Sequence, residues 1–458
     1  MSEPSYFRLS SDQVALLVYV AGAPRALLNM PVRVDIEDEI DEEKILEALK
    51  LTVKRLPFCR IRMHEYEEEK FWQYYSDEEP TGIELVDMSD KSEEDVDEYL
   101  LDKAREPFPN NYNDEQLYDA KLIRRPGGKH TVFFNGYHMI MDSVGLITVI
   151  TYFDKVYTAL VNGTELPPEG IGPEKHIEKS WKYKESPKAQ ADIDWWRSVF
   201  STEPHFTSMN PRPSVEYVEG KNYGLPLRMD QFLCDSLVIR IPAETVKKIN
   251  DAALANNMSA QIYYALAVRT WLYLMSGSTD VCFDTTGARR SALFEKDCGM
   301  TMAHQIVWRS DIPGSSTFAD ALRKLDITQK DMYRHISVEL KDFLPWTNER
   351  YGFPEDAIFR SLVFTYQPYF NTDGVGLKFT ANHVNTGYAF QPLYLNLMPH
   401  DDSGDLYADY LYSFTYLDGE NLKRFHEFMI RFILAGIESP DSTIDELAAK
   451  SVPASDGE

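Results

Sequence analysis

Residues 118–160 read YDAKLIRRPGGKHTVFFNGYHMIMDSVGLITVITYFDKVYTAL, and the plan of the chain can be read outward from them. The runs YDAKLIRR (118–125) and KHTVFFNGYH (129–138) are rich in β-branched and aromatic residues. Pro126-Gly127-Gly128 between them is turn chemistry, so the pair predicts a β-hairpin. DSVGLITVITYFDKVYTAL (142–160) then carries apolar residues at i, i+3, i+4 and i+7, the spacing of a helix packed on that sheet. His138 therefore falls in a strand-to-helix turn, with Asp142 four residues further on. Such turns hold functional side chains on a rigid base.

Upstream, LNMPVRVDI (28–36) alternates as a half-buried strand does, and DEEKILEALKLTVKRL (41–56) spaces Ile45, Leu46, Leu49, Val53 and Leu56 helically behind an acidic first turn. FCRIRMHEY and KFWQYY predict two strands, and SEEDVDEYLLDKAREPF (92–108) a helix begun by its serine. Residues 163–190 are poor in apolar residues and rich in Pro, Gly and Lys, which places a lobe boundary there. The five lysines from Lys175 to Lys188 fit a solvated linker better than a dock for an anionic partner. Beyond it the pattern restarts: strand LVIRIP (237–242), helices AETVKKINDAALANN and SAQIYYALAVRTWLYLMSG, strand DVCFDTTGA, strands SLVFTYQ, PLYLNLM and LYADYLYSFTY, and helix ENLKRFHEFMIRFILAGI. The expected division is a first α/β lobe over 1–170, a linker over 171–195, a second α/β lobe over 196–450 and a disordered tail over 451–458.

Composition narrows the function. The 458 residues carry 73 acidic and 47 basic side chains, a net charge of −26, which repels phosphate backbones and anionic lipid and argues against nucleic-acid and membrane-surface roles. The four cysteines, Cys59, Cys234, Cys282 and Cys298, lack disulfide-scaffold or zinc spacing, so no metal is expected. The N-terminus lacks a basic region followed by an apolar run, and no apolar stretch is expected to reach the ~18 residues of a membrane helix. The expected setting is a reduced cytoplasm, with Asn162-Gly163-Thr164 a chance sequon. There is no Gly-x-Ser-x-Gly elbow, His-Glu-x-x-His, P-loop or Gly-x-Gly-x-x-Gly. Cys234-Asp235-Ser236-Leu237 lacks the glycines of a phosphopantetheine attachment site and lies in a predicted strand.

What remains is Tyr137-His138-Met139-Ile140-Met141-Asp142-Ser143-Val144-Gly145. It resembles the His-His-x-x-x-Asp-Gly signature of the condensation-domain superfamily of CoA- and carrier-protein-dependent acyltransferases. The likeness extends in order along the chain. AREPFPNNYNDEQLYDAKLI (104–123) resembles the lead-in to the signature strand, and ALANNMSAQIYYALAVRTWLYLMSGSTDVCFDTTGARR (253–290) the second-lobe helix, strand and arginine turn. Cys298-Gly299-Met300-Thr301 is similar to the glycine turn, and Leu362-Val363-Phe364-Thr365-Tyr366-Gln367 to the Phe-Asn-Tyr-Gln strand.

The resemblance implies two lobes, each like chloramphenicol acetyltransferase, in a V with a tunnel at their interface. It makes His138 the catalytic histidine. Asp142 becomes the aspartate that ties down the turn through an arginine, Arg289 or Arg290, with Arg289 the first choice. The implied donor is an acyl-CoA or acyl-phosphopantetheine thioester, with no permanently bound cofactor, and the implied acceptor a small amine or alcohol. The expected function is a free-standing acyltransferase, any acyl or peptidyl carrier protein being supplied in trans. A neutral imidazole can accept the acceptor's proton, and the thiolate leaving group, with a pKa of about 8.5, needs little acid help. Tyr137 stands in place of the first, largely structural histidine, and Ser143 in place of the motif glycine. If position 143 needed φ > 0, serine there would cost about 1–2 kcal/mol. Gly145 and the small Ser143 are expected to leave space beside the imidazole. Thr365 is a candidate substrate-binding hydroxyl, whereas His304, His383 and His400 are isolated and read as structural. The rival function is a catalytically silent module that binds a carrier or recruits a partner enzyme.

Overall fold

The hairpin forms as predicted: Tyr118–Arg124 and His130–Tyr137 pair antiparallel, from Tyr118↔Gly136 to Arg124↔His130. The computed structural model describes residues 4–19, 23–67, 70–108, 114–209, 217–218, 221–222, 225–226, 233–353, 357–358, 360–367, 376–389, 391–414 and 416–453. Residues 109–113 of the signature lead-in and 454–458 of the expected tail lie outside them.

Asn29–Ile36 pairs antiparallel with the free side of His130–Tyr137, and Glu84–Asp87 adds parallel to Tyr118–Arg124. The fifth strand of this sheet, Phe379–His383, crosses over from the second half of the chain to pair with Asn29–Ile36. Helices Glu42–Arg55 and Ser143–Asn162 pack together on one face, burying Ile45, Leu49, Val53, Val149, Phe153 and Val156 against the sheet's Val32, Val34, Val132 and Phe134. Asp41 caps the first of these helices through the Lys44 amide at 3.2 Å. Helix Glu93–Arg105 covers the other face with Val96, Leu100 and Ala104 and begins in a Ser92–Asp95 capping box. Phe7–Arg8, Lys70–Tyr75 and Ile61–Glu67 form a separate three-stranded sheet.

The second half is built on six strands in the order Asp235–Ile241, Leu406–Tyr412, Leu393–Met398, Leu362–Tyr366, Asp280–Gly287, His304–Asp311. Strict alternation puts Leu393, Leu395, Leu397, Ala408 and Tyr410 into a second core with helices Ala260–Ser276 and Gly419–Glu438. The expected pair of α/β lobes is thus present. Cys298, Met300 and Met302 nevertheless belong to the first core, so the halves interlock through this loop and the crossover strand.

Three expectations are corrected. Residues 171–195 are not a solvated linker: they hold helices Glu174–Lys184 and Pro187–Val199. Lys179 pairs with Glu295, Lys182 with Glu178, Lys184 with Glu339 and Asp342, and Lys188 with Asp192, so four of the five lysines serve internal ion pairs. The segment looks solvated in sequence because much of what it buries is polar, including His176, Ser180 and Asp192. Helix Ser143–Asn162, with 20 residues and a mean hydropathy of 1.4, is long and apolar enough to cross a membrane. Of its apolar window 56% is buried in the protein, where it forms the first core. Residue 451 does not belong to a disordered tail, since Ser451 is the buried last residue of helix Ile444–Ser451.

Candidate active site

His138 follows the last residue of strand His130–Tyr137, and two backbone bonds fix it. Its amide donates to the Leu28 carbonyl at 2.8 Å, and its carbonyl accepts from the Thr301 hydroxyl, which comes from the second half of the chain. The Nδ1 atom is buried and has no hydrogen-bond partner. Burial lowers the His138 pKa below 6.5, against the opposing pull of Asp142 and of the carbonyls of His138 and Met141. Burial thus favours the uncharged form of the ring.

Asp142 is the N-cap of helix Ser143–Asn162: Oδ1 accepts from the Val144 and Gly145 amides at 3.1 and 3.2 Å. The same carboxylate takes a two-pronged pair from Arg290, at 2.8 Å on Oδ2 and 2.9 Å on Oδ1, and Oδ2 accepts from the Met302 and Ala303 amides at 3.0 and 2.9 Å. Burial pushes the Asp142 pKa up, but Arg290's charge and hydrogen bonds and the Ala303 and Met302 amides outweigh it, holding the group below 3.8. Arg290 also donates to the carbonyls of Ala288, Cys298 and Met300. Its guanidinium thus clamps the loop of the second half onto the histidine turn of the first.

Arg289, the first choice for that partner, is not the residue on Asp142. It pairs with buried Asp12, which also bonds His176 at 2.8 Å. The Arg289 backbone is left-handed, with φ of 53°, which turns the two adjacent guanidinium groups toward different carboxylates. The fourth member of this cluster, His304, bonds the Ile336 carbonyl at 2.6 Å and lies 3.3 Å from Arg289, which accords with a structural reading. Asp12 and His176 carry no signal in the sequence, because their partners lie more than a hundred residues away.

Ser143 is the first residue of its helix and is not among the positive-φ residues, so serine here carries none of the left-handed cost considered from sequence. At Gly145 the room left by the missing side chain is taken up by the second half of the chain. A Cβ there would lie 2.0 Å from the Gly299 carbonyl oxygen and 2.8 Å from the Met141 Cβ, so glycine is what lets the Gly299 loop approach. Tyr137 is buried, its ring 5.2 Å from that of Phe108. Thr365 is also buried, its hydroxyl 3.0 Å from Thr286 Oγ1 and 3.1 Å from Tyr394 Oη, within an internal network. His400 bonds Asp409 at 2.9 Å and stacks on Tyr407.

Two interlocked α/β lobes, with a strand–turn–helix His-x-x-x-Asp held by an arginine from the other lobe, define a class, and comparison with known proteins gives it a name. The sequence profile of the Condensation domain matches residues 22–452. The chain belongs to the condensation-domain family, whose chemistry is acyl transfer that forms amide or ester bonds. It is 22% identical over 423 residues to surfactin synthase subunit 1 of Bacillus subtilis and 19% identical over 453 residues to tyrocidine synthase 3 of Brevibacillus parabrevis. Those matches cover 90% and 98% of this chain but only 11% and 7% of the relatives' lengths. Among solved structures, the first condensation domain of the calcium-dependent antibiotic synthetase, in complex with a substrate analogue, aligns with a TM-score of 0.82 at 17% identity, covering 97% of this chain and 99% of that one. The starter condensation domain of rhizomide synthetase in complex with C8-CoA aligns at 0.80 and 15% identity, covering 96% of each chain.

Proposed function

We propose that the protein transfers an acyl group from a thioester, on CoA or on the phosphopantetheine arm of a carrier protein, to an amine or alcohol acceptor, with His138 as the general base. The observation that carries this reading is the mostly enclosed imidazole whose backbone is pinned from both lobes, its pKa lowered by burial. As acceptor nitrogen or oxygen attacks the thioester carbonyl, its proton passes to His138 Nε2. The carbon–sulfur bond then breaks, and that proton leaves with the thiolate as free thiol. One new C–N or C–O bond replaces one C–S bond, and the histidine ends as it began. A base so placed contributes ~10² to 10⁴ in rate. Asp142 and Arg290 touch no reacting atom in this scheme. They position the turn.

The test is thiol release from a panel of acyl-CoA and acyl-carrier thioesters with mixed amine and alcohol acceptors, for wild type and His138→Ala side by side. Acceptor-dependent release that collapses in the variant is expected, and the productive donor names the thioester class. Equal turnover in both proteins would remove His138 as the base. The silent-module reading drew its sequence support from Ser143, whose ordinary backbone supplies no reason for inactivity.

A further inference from the structure

A cavity of about 180 Å³, separate from the histidine turn, is lined by Lys54, Arg60, Arg62, Ser76 and Tyr118. Lys54 comes from the last turn of helix Glu42–Arg55, Arg60 from the short turn Pro57–Arg60, and Arg62 from strand Ile61–Glu67. Arg62 is the unusual member: 4% exposed, it has no carboxylate within ion-pair distance among the described residues. Its Nη1 donates to the carbonyls of Ile61 at 3.1 Å and Cys59 at 3.4 Å, and its Nε is buried with no partner. A buried guanidinium without an anion is costly, and proteins normally pair such a charge or give it a ligand.

The surrounding groups suit an incoming anion. The Ser76 hydroxyl accepts from the Glu78 amide at 3.2 Å, and its own proton has no acceptor among the described residues. Two carboxylates, Asp77 and Glu78, also line the opening. Asp77 pairs with Arg60, and Glu79 with Lys54 at 2.7 Å, but Asp77 is 91% and Glu79 79% exposed. Exposed pairs of this kind are worth about 0–1 kcal/mol, so Arg60 and Lys54 can turn to a bound anion at little cost. The guanidinium fork matches two oxygens of a phosphate.

We propose that this cavity is an oxyanion site that holds one phosphate group, with Arg62 as its floor and Ser76, Arg60 and Lys54 as further donors. The site does not depend on the acyltransferase reading. The phosphate can be free, or it can belong to a larger ligand such as CoA.

The test is titration calorimetry of the full chain with inorganic phosphate, at ionic strength matched with chloride, followed by competition with CoA. Saturable one-to-one binding is expected, weakened about tenfold or more in Arg62→Gln, the loss typical of a hydrogen bond to a charged group. Ser76→Ala and Lys54→Gln each remove one further donor, and each is expected to weaken binding even if Arg62→Gln fails to fold. His138→Ala is expected to bind phosphate as wild type does. Mutual displacement by CoA identifies the phosphate of a thioester donor as the natural occupant, and phosphate binding that CoA leaves untouched identifies free phosphate. Heat that follows ionic strength alone, or binding unchanged in the Ser76 and Lys54 variants, overturns the proposal.

Discussion

Replacing Asp142 by asparagine keeps the shape of the side chain and removes only its charge. Each carboxylate oxygen meets three donors: Oδ1 the Val144 and Gly145 amides and Arg290 Nη2, Oδ2 the Met302 and Ala303 amides and Arg290 Nη1. Whichever way the amide turns, its NH₂ faces three other donors. One side of the network must therefore open, leaving Arg290, whose side chain is 5% exposed, without a counter-charge. Breaking a buried pair from one side costs ~3–5 kcal/mol, and each buried donor left unsatisfied ~1–3 kcal/mol. These costs overlap, so we expect about 4 kcal/mol of destabilisation, a large part of the ~5–15 kcal/mol available to a folded protein. Urea unfolding followed by circular dichroism measures it. Arg290→Met should cost a similar amount, and the Asp142→Asn/Arg290→Met double variant well under the sum, a coupling of ~2 kcal/mol or more. A loss below ~1 kcal/mol for Asp142→Asn, or strictly additive single costs, would refute the clamp.

Gly145→Ala places a methyl group 2.0 Å from the Gly299 carbonyl oxygen, so the helix start and the Gly299 loop must separate. We expect ~2–3 kcal/mol of destabilisation, the scale of an overpacked core, and an unchanged unfolding midpoint would show the contact to be soft. Ser143→Gly tests the reading of the motif serine: at a helical position glycine costs up to about 1 kcal/mol relative to alanine, so the change should stabilise nothing and raise no activity. A gain in either would show that the backbone there is strained after all. Because burial holds His138 below 6.5, kcat/KM should rise with pH through a value under 6.5 and then stay level to neutrality; a limb centred above 7 contradicts the assignment. Stability should follow pH as well. His304 and His426 are lowered by burial to about 3 and about 4, so below pH 6.5 the unfolded chain takes up protons that the folded one refuses. The midpoint in urea should therefore fall by the equivalent of ~2 kcal/mol or more from pH 6.5 to 4.5, and a level or rising midpoint contradicts this.

Local pattern carried most of the fold. The hairpin and the helix after it were legible because period 2 changes to period 3.6 within one short segment, with turn residues marking the joints. The crossover strand Phe379–His383 was not, since FTANH is short, half polar and paired with a strand more than three hundred residues away. The helices of 174–199 were hidden because much of their buried face is polar, and that face is satisfied by Asp12, Glu295, Glu339 and Asp342 rather than by apolar packing. At the candidate site, His138 and Asp142 were singled out by their place in a strand-to-helix turn and by the family resemblance, since the spacing alone is common. The choice between Arg289 and Arg290 was not, because it depends on one left-handed residue in a turn, where no periodicity says which way a side chain points.

The same geometry explains what an aspartate four residues after the histidine does for the turn. A cap alone could be supplied by serine or asparagine at ~1 kcal/mol. A carboxylate at the N-cap can in addition receive a guanidinium and two amides from the other lobe, so that helix start, histidine turn and second-lobe loop share one buried anion. Thr301, in that same loop, donates to the His138 carbonyl, and Gly299, two residues before it, lies against Gly145. Any displacement of one lobe against the other must therefore pull on the backbone of the imidazole itself. The position of the imidazole and the packing of the two lobes are one structural variable, and changes in 298–303 should register at His138 as well as in the first core, to which Cys298, Met300 and Met302 belong.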